Sequence, residues 1–155
     1  MGLQALLPLL IRRAIAWAEA VASDVAAQGV ALSPSAAVDA NTVGVRLVDK
    51  VRVLIVDELP VPEDPELRAA AIETGLLGPG MIGLTLGYSI LICRGHMTRS
   101  VLSHECRHVA QYESAGGIAS FLPIYLAAIV EPGVGYWNSP FEQEARAYEL
   151  SDGVD

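Results

Sequence analysis

Residues 104–108 of this chain read His-Glu-Cys-Arg-His, which is an H-E-x-x-H pattern. On a helix, His104 and His108 lie one above the other on the same face, because a helix turns once in about 3.6 residues. Two imidazoles in that arrangement are able to hold one zinc ion, and Glu105, about 100° further round, lies beside the metal. The pattern therefore indicates a hydrolytic zinc site in which Glu105 accepts a proton from the attacking water.

Two histidines do not complete such a site, which needs a third protein ligand and an open position for water. The extended motif H-E-x-x-H-x-x-G-x-x-H is absent, since Gln111 and Ser114 stand where it requires glycine and histidine. His96 is the other histidine in the sequence. It falls between the predicted strands and the motif, where a loop residue is expected.

The third ligand is therefore expected among the carboxylates of the last helix, which Pro140 opens. Glu142 is the favoured ligand and Glu144 is the alternative; they lie roughly 200° apart on a helix, so only one of them faces the histidines. A structural role for Glu142 also stays open. Ser139 and Glu142 form a capping-box pattern, and Arg146 lies four residues on from Glu142, where it is able to pair with it.

The motif must be held by a helix and a sheet. Residues 99–112 have an apolar side, with Thr98 or Ser100 to cap the start of a helix and Gly116-Gly117 to end it. The β-branched run 51–56 predicts a strand. Residues 82–93 predict two short strands around a turn at Gly87-Tyr88.

The rest of the chain is mostly helical in pattern. Helices are predicted for residues 8–28, 34–43, 65–74, 118–130 and 140–150, and the fourth of these is apolar nearly all round, so it is expected to be buried. The fold class is α+β, dominated by helices. A single domain over residues 1–155 is expected, with helices and one strand in 1–81 and the metal-site half in 82–155.

Composition narrows the function. The net charge of −8 argues against nonspecific binding to nucleic acid. Cys93 and Cys106 are too few for a disulfide scaffold and predict free thiols, with Cys106 on the side of the helix away from the metal. Arg12 and Arg13 interrupt the apolar N-terminal stretch, so neither a signal peptide nor a membrane span is expected. We expect a cytoplasmic protein, with attachment to a membrane surface and homo-oligomer formation as alternatives.

Three segments together resemble the gluzincins, zinc peptidases with H-E-x-x-H on one helix and a glutamate on a later one. They are the strand pair 84–92, the motif segment 102–112 and residues 140–146, the last being similar to the E-x-x-A segment of several gluzincins. The resemblance covers about the C-terminal half, from residue 82 onward. It is to small bacterial zincin domains.

This resemblance implies a zincin-like fold, with a small sheet before the active-site helix, and a peptidase acting on peptide or protein substrates. One zinc ion per chain would be held by His104, His108 and Glu142, with Glu105 as the general base. The alternative is a non-catalytic zinc-binding or interaction module on the same scaffold. Glu105 argues against that alternative, because holding a metal does not require it.

The supporting residues are less defined. Many gluzincins place Asp after the E-x-x-A segment, where this chain has Arg146, so a carboxylate that orients a ligand histidine is not supplied from there. Glu149 and Asp57 are the candidates for that role. Tyr136 and Tyr148 are the candidates for stabilising the oxyanion.

Overall fold

The computed structural model describes residues 2–152; the ends of the predicted domain, residue 1 and residues 153–155, lie outside the described part. The helices and strands of residues 2–152 are α1 (Leu3–Gln28), α2 (Pro34–Thr42), β1 (Arg52–Val56), α3 (Pro65–Glu73), β2 (Gly83–Leu86), β3 (Ser89–Cys93), α4 (Arg99–Ala115), α5 (Ile118–Val130), α6 (Gly135–Asn138) and α7 (Pro140–Ala147). One turn of 3₁₀ helix, Val48–Lys50, precedes β1. The predicted α+β class, dominated by helices, is confirmed.

The strands form a mixed sheet in the order β1-β3-β2. β1 runs parallel to β3, whereas β2 and β3 form the predicted antiparallel hairpin. Gly87 lies in the hairpin turn with a φ of 66°, which glycine adopts without steric cost. β2 is thus an edge strand of the sheet, next to the helix that carries the motif.

Each face of the sheet packs against helices, because successive side chains of a strand point to opposite faces. Ile90 and Ile92 of β3 pack in a cluster with Cys106 of α4. Leu91 packs on the other face with residues of α1 and α3. Thr85 of β2 is the cross-strand partner of Ile90 and therefore lies on the α4 face.

The motif helix α4 has the predicted ends. The Thr98 side chain accepts a hydrogen bond from the backbone N–H of Val101, at 3.2 Å, and so caps its start. The helix runs past the predicted end at Tyr112 to Ala115 and stops at Gly116, whose φ is 104°. One side of α4 is anchored in the core, which leaves the histidine side to face α7.

Three helices depart from their predicted form, and one of them, α7, ends at Ala147 and not at residue 150. α1 begins at Leu3 and continues through Pro8, since one proline removes one backbone hydrogen bond while Leu10 and Ala14 still bury the helix against the core. The prediction that α5 is buried holds for one side of the helix and is wrong for the other. It packs on α1, α4 and α6 by one side, and Ile124 on the other side is 51% exposed.

No single helix within residues 2–152 combines the length and hydropathy required to cross a membrane. The pair α4 and α5 reaches both only when the two are taken together, and the chain bends by 115° between them.

Candidate metal centre

The structure brings His104, His108 and Glu142 together between α4 and α7. One ligand atom from each of these residues lies within 4.8 Å of the others, and the group is able to hold a metal ion. His104 Nε2 lies 3.3 Å from Glu142 Oε1, and His108 Nε2 lies 2.9 Å from Glu142 Oε2. His108 is 6% exposed and Glu142 is 1% exposed, so water is largely excluded from the three side chains.

The donor set fits zinc, which accepts two imidazole nitrogens and one carboxylate in catalytic sites. Glu105 and Glu142 are both buried, and the ion pairs found in residues 2–152 give neither of them a lysine or arginine partner. Burying a carboxylate without a cation is costly. Without a metal, the protonated imidazoles of His104 and His108 are the cations beside Glu142, and a divalent cation would replace them in that role.

Each histidine is oriented by an acceptor on its far nitrogen. His104 Nδ1 lies 2.8 Å from Glu149 Oε2, and His108 Nδ1 lies 2.7 Å from Gln111 Oε1. A carboxylate only accepts, so His104 Nδ1 carries the proton it donates and Nε2 points toward Glu142. Of the two carboxylates considered for this role, Glu149 is the one that contacts His104; Asp57 pairs with Arg94 at 2.9 Å.

The carboxylate of Glu105 lies beside the group and is held by the edge strand. Thr85 Oγ1 donates to Glu105 Oε1 at 2.8 Å, and its oxygen also lies 3.1 Å from the Glu105 carbonyl. Gly83 leaves the space that the carboxylate occupies, because a Cβ at residue 83 would lie 2.7 Å from Glu105 Oε2. Burial raises the pKa of Glu105, while the charges of His108 and His104 oppose that increase.

The histidines carry protons when no metal is bound. Burial alone would lower the pKa of His104, but the hydrogen bond to Glu142 and the charges of Glu105 and Glu142 raise it to about 9. The pKa of His108 is raised for the same reasons. Burial would raise the pKa of Glu142, yet its hydrogen bonds from both histidines bring it well below the usual range. Metal and protons therefore compete for the same nitrogens.

From this competition we expect the affinity for zinc to rise with pH. Below a pKa of about 9, His104 Nε2 is protonated and the proton must leave before the metal binds. Each displaced proton makes the affinity about tenfold higher per pH unit, until the pH passes that pKa. Zinc titration against a chelating indicator from about pH 6 to pH 9, corrected for the indicator's own protonation, measures the slope. A flat profile would contradict the prediction.

The alternative carboxylate, Glu144, lies outside the group. Glu144 Oε1 accepts from Arg107 Nε at 2.9 Å and from Gln111 Nε2 at 3.1 Å. It therefore ties α7 to α4 behind the histidines. Arg146 does not pair with Glu142. Its guanidinium lies 3.9 Å from the Trp137 ring centroid and donates a hydrogen bond to the Trp137 carbonyl.

Three tyrosines lie near the metal group, and each makes a different contact. Tyr125 OH donates to Glu142 Oε2 at 2.6 Å. Tyr136 lines the same cavity as Glu105, His108 and Glu142, and burial together with the charge of Glu142 raises its pKa, so the phenol stays protonated. Tyr148 instead lies under the Arg107 guanidinium, 3.9 Å from its ring centroid.

The remaining sulfur and imidazole groups lie away from the group. Cys106 is 1% exposed and packs in the core, where burial raises the pKa of its thiol to about 12. Cys93 is half-buried at the end of β3, and both cysteines are free. His96 is exposed in the loop before α4.

Several residues at the site were not anticipated from the sequence. Gln111 had a usable signal, since it lies three residues after His108 and thus on the same side of the helix. Gly83 had a weaker one, because a glycine within a strand often marks a close approach. Thr85 and Tyr125 had none, as their contacts join residues that are 20 and 17 positions apart.

A cavity of about 100 Å³ adjoins the group, and Glu105, His108 and Glu142 form part of its wall. Comparisons of the chain with protein-family models, with curated protein sequences and with solved structures found no match. The chemistry of the site is accordingly derived from its own residues. The site combines a group suited to a metal, a further buried carboxylate beside it and an adjoining cavity.

Proposed function

We propose that this protein is a zinc-dependent metallopeptidase of the gluzincin type, with His104, His108 and Glu142 as zinc ligands and Glu105 as general base. One observation carries the proposal. The three ligand atoms lie within 4.8 Å of one another, and the Glu105 carboxylate borders the same cavity without belonging to the group. A group that only held a metal would not require this second carboxylate.

A bound zinc ion would supply Lewis acidity and would lower the pKa of a water toward about 7. The chain's own residues handle the protons. Glu105 takes the proton of the attacking water on Oε2, because Oε1 is occupied by the hydrogen bond from Thr85, and then delivers it to the leaving nitrogen. Burial raises the pKa of Glu105, which makes its carboxylate a stronger base toward the water proton.

Tyr136 is the proposed donor to the oxyanion. It lines the cavity and keeps its proton, since burial and the charge of Glu142 raise its pKa. Tyr136 also hydrogen-bonds Glu142, as Tyr125 does, and would exchange that bond for one to the oxyanion. Tyr148 is stacked against Arg107 and is not among the residues that line the cavity. Glu149 and Gln111 do not take part in the chemical step. They orient the two imidazoles so that each Nε2 faces Glu142.

The proposal is tested by metal content followed by cleavage. Chelator-free protein is analysed by elemental mass spectrometry, and about one zinc per chain is expected. The zinc-loaded protein is then incubated with a peptide library, with chelator-treated protein as the matched blank. Cleavage by the loaded protein alone would support the proposal, and the absence of zinc even after its addition would refute it.

The burial of the site favours a second candidate, a non-catalytic zinc-binding or interaction module. Glu105 and His108 are each 6% exposed and Glu142 is 1% exposed, as in closed structural metal sites. On this alternative, zinc would stabilise the packing of α7 on α4 and the library would stay uncleaved. A large rise in melting temperature with zinc, without cleavage, is its signature.

The Gly83→Ala variant is expected to lower kcat/KM about 10²-fold while leaving the fold and the zinc content unchanged. The added Cβ would lie 2.7 Å from Glu105 Oε2 and 3.0 Å from Glu105 Cδ. A flexible carboxylate moves aside at little cost in stability, but it then leaves the position in which it receives the proton. Kinetics on a library-derived peptide, with the melting temperature, measure both effects.

Gly78→Ala is the matched control for this variant, because a Cβ at residue 78 meets no heavy atom within 4 Å. It is expected to retain wild-type kcat/KM. If Gly83→Ala and Gly78→Ala are equally active, the position of the Glu105 carboxylate does not limit the reaction.

A further inference from the structure

The cavity beside the metal group is closed by the N-terminal part of the chain. α1 contributes Leu7, Ala14 and Trp17 to its wall, and α3 contributes Ala70 and Ala71. These helices precede residue 82, where the likeness to gluzincins begins. This part of the wall is therefore a feature of this chain's own N-terminal half.

The wall of the cavity is lined partly by polar and partly by apolar side chains. The ionisable side chains of the lining are Glu105, His108 and Glu142 of the site and the tyrosines Tyr112, Tyr125 and Tyr136, and Thr74 and Thr85 add hydroxyl groups. Every residue that α1 and α3 contribute is apolar, and the described lining contains no lysine or arginine. A charged group at the α1 and α3 end would have no partner, and burying it would be costly.

The size of the cavity limits its occupant. Its volume is about 100 Å³, of the same order as an engineered apolar cavity of about 150 Å³ that accepts benzene in another protein. This matches one side chain of about the size of leucine. Two of the three proposed ligands, His108 and Glu142, and the base Glu105 are part of this wall, so a group that fills the cavity has its neighbouring carbonyl beside them.

We infer that α1 and α3 form a specificity pocket that takes one uncharged aliphatic group of the substrate, about the size of a leucine side chain, next to the carbonyl that is attacked. This inference rests on the proposed function, because it places the scissile carbonyl at the metal group. Selectivity comes from the apolar wall, which stabilises an aliphatic group and offers nothing to a charged one.

Hydroxamates test the pocket by binding alone, since their head group ligates zinc. Zinc-loaded full-length protein is titrated by calorimetry with acetohydroxamate, 4-methylpentanohydroxamate and 5-aminopentanohydroxamate. Each buried methylene gives about fourfold in affinity, so the four additional carbons of the aliphatic tail are expected to make it bind about 250-fold more tightly than acetohydroxamate. The ammonium tail, similar in length, is expected to show no gain.

Ala70→Phe fills the pocket and is expected to reduce the aliphatic gain to less than about threefold, because the added ring occupies the space of the tail. Ala69→Phe is the matched control, since Ala69 is exposed on the same helix and does not line the cavity. It is expected to keep the gain. Circular dichroism checks that both variants are folded. If a variant does not fold, the comparison of the three hydroxamates on the wild-type protein still tests the pocket.

The outcomes separate the pocket from the metal site. If acetohydroxamate binds and the aliphatic tail does not increase the affinity, the proposed specificity pocket is refuted while the metal site is supported. Retention of the full gain by folded Ala70→Phe protein also overturns it. If none of the three compounds binds although zinc is present, or if zinc itself is absent, the proposed function fails and the inference fails with it.

Discussion

Glu105→Gln protein is expected to bind zinc as the wild type does and to hydrolyse peptides about 10²- to 10⁴-fold more slowly. Glu105 lies outside the three-residue metal group, so metal content does not depend on its charge. Glutamine has the same shape and still accepts from Thr85 Oγ1, which keeps the side chain in place. What it lacks is the basic oxygen that takes the proton. Elemental analysis and kcat/KM on one library-derived peptide measure both quantities.

Glu113→Gln is the control on the same helix. Glu113 accepts from the backbone N–H groups of Arg46 and Leu47 and does not contact the metal group. It is expected to keep wild-type kcat/KM. Zinc-loaded Glu105→Gln protein with full activity would contradict a role for Glu105 as base. If wild type and variant hold zinc but neither cleaves any peptide, the non-catalytic module is the better description.

Glu142→Gln is expected to lower the affinity for zinc by more than about 100-fold, since residues that only orient a ligand already contribute 10- to 100-fold. The change removes the negative charge of the carboxylate, whose Oε2 lies 2.9 Å from His108 Nε2 and whose Oε1 lies 3.3 Å from His104 Nε2. Glutamine keeps the volume and still accepts from Tyr125 OH, so the packing is preserved. Competition with a zinc-binding indicator at fixed pH gives the affinity.

Glu144→Gln is the comparison that decides between the two carboxylates of α7. Glu144 pairs with Arg107 and Gln111, so its loss is expected to leave zinc stoichiometry unchanged and to lower stability by about 1 kcal/mol or less. Loss of zinc from Glu144→Gln with retention in Glu142→Gln would reverse the assignment. Melting curves of the metal-free variants show whether either change disturbs the fold itself.

Local features of the sequence were enough to predict the helix that carries the motif. Thr98 caps its start and Gly116 ends it, and both signals depend on hydrogen bonds within a few residues. The hairpin at Gly87 is likewise a local matter of backbone conformation. The 3.6-residue period also placed His104 and His108 on one face without any knowledge of the tertiary fold.

The surroundings of the histidines depended on contacts between distant parts of the chain. Helical geometry states that Glu142 and Glu144 face different ways, but the packing of α7 on α4 decides which of them meets the histidines. Likewise Glu149 was only one of two candidate partners for His104 until the chain after α7 placed it 2.8 Å from Nδ1.

The sequence by itself thus determined the motif, its helix and the α+β class, because periodicity, capping and turn chemistry act over a few residues. Only the tertiary structure brought Thr85 of the edge strand to Glu105, and α1 and α3 to the far wall of the cavity. Apolar side chains such as Leu7 and Ala70 show in the sequence that they will be buried, but not what they will be buried against. That is decided when the whole core packs together.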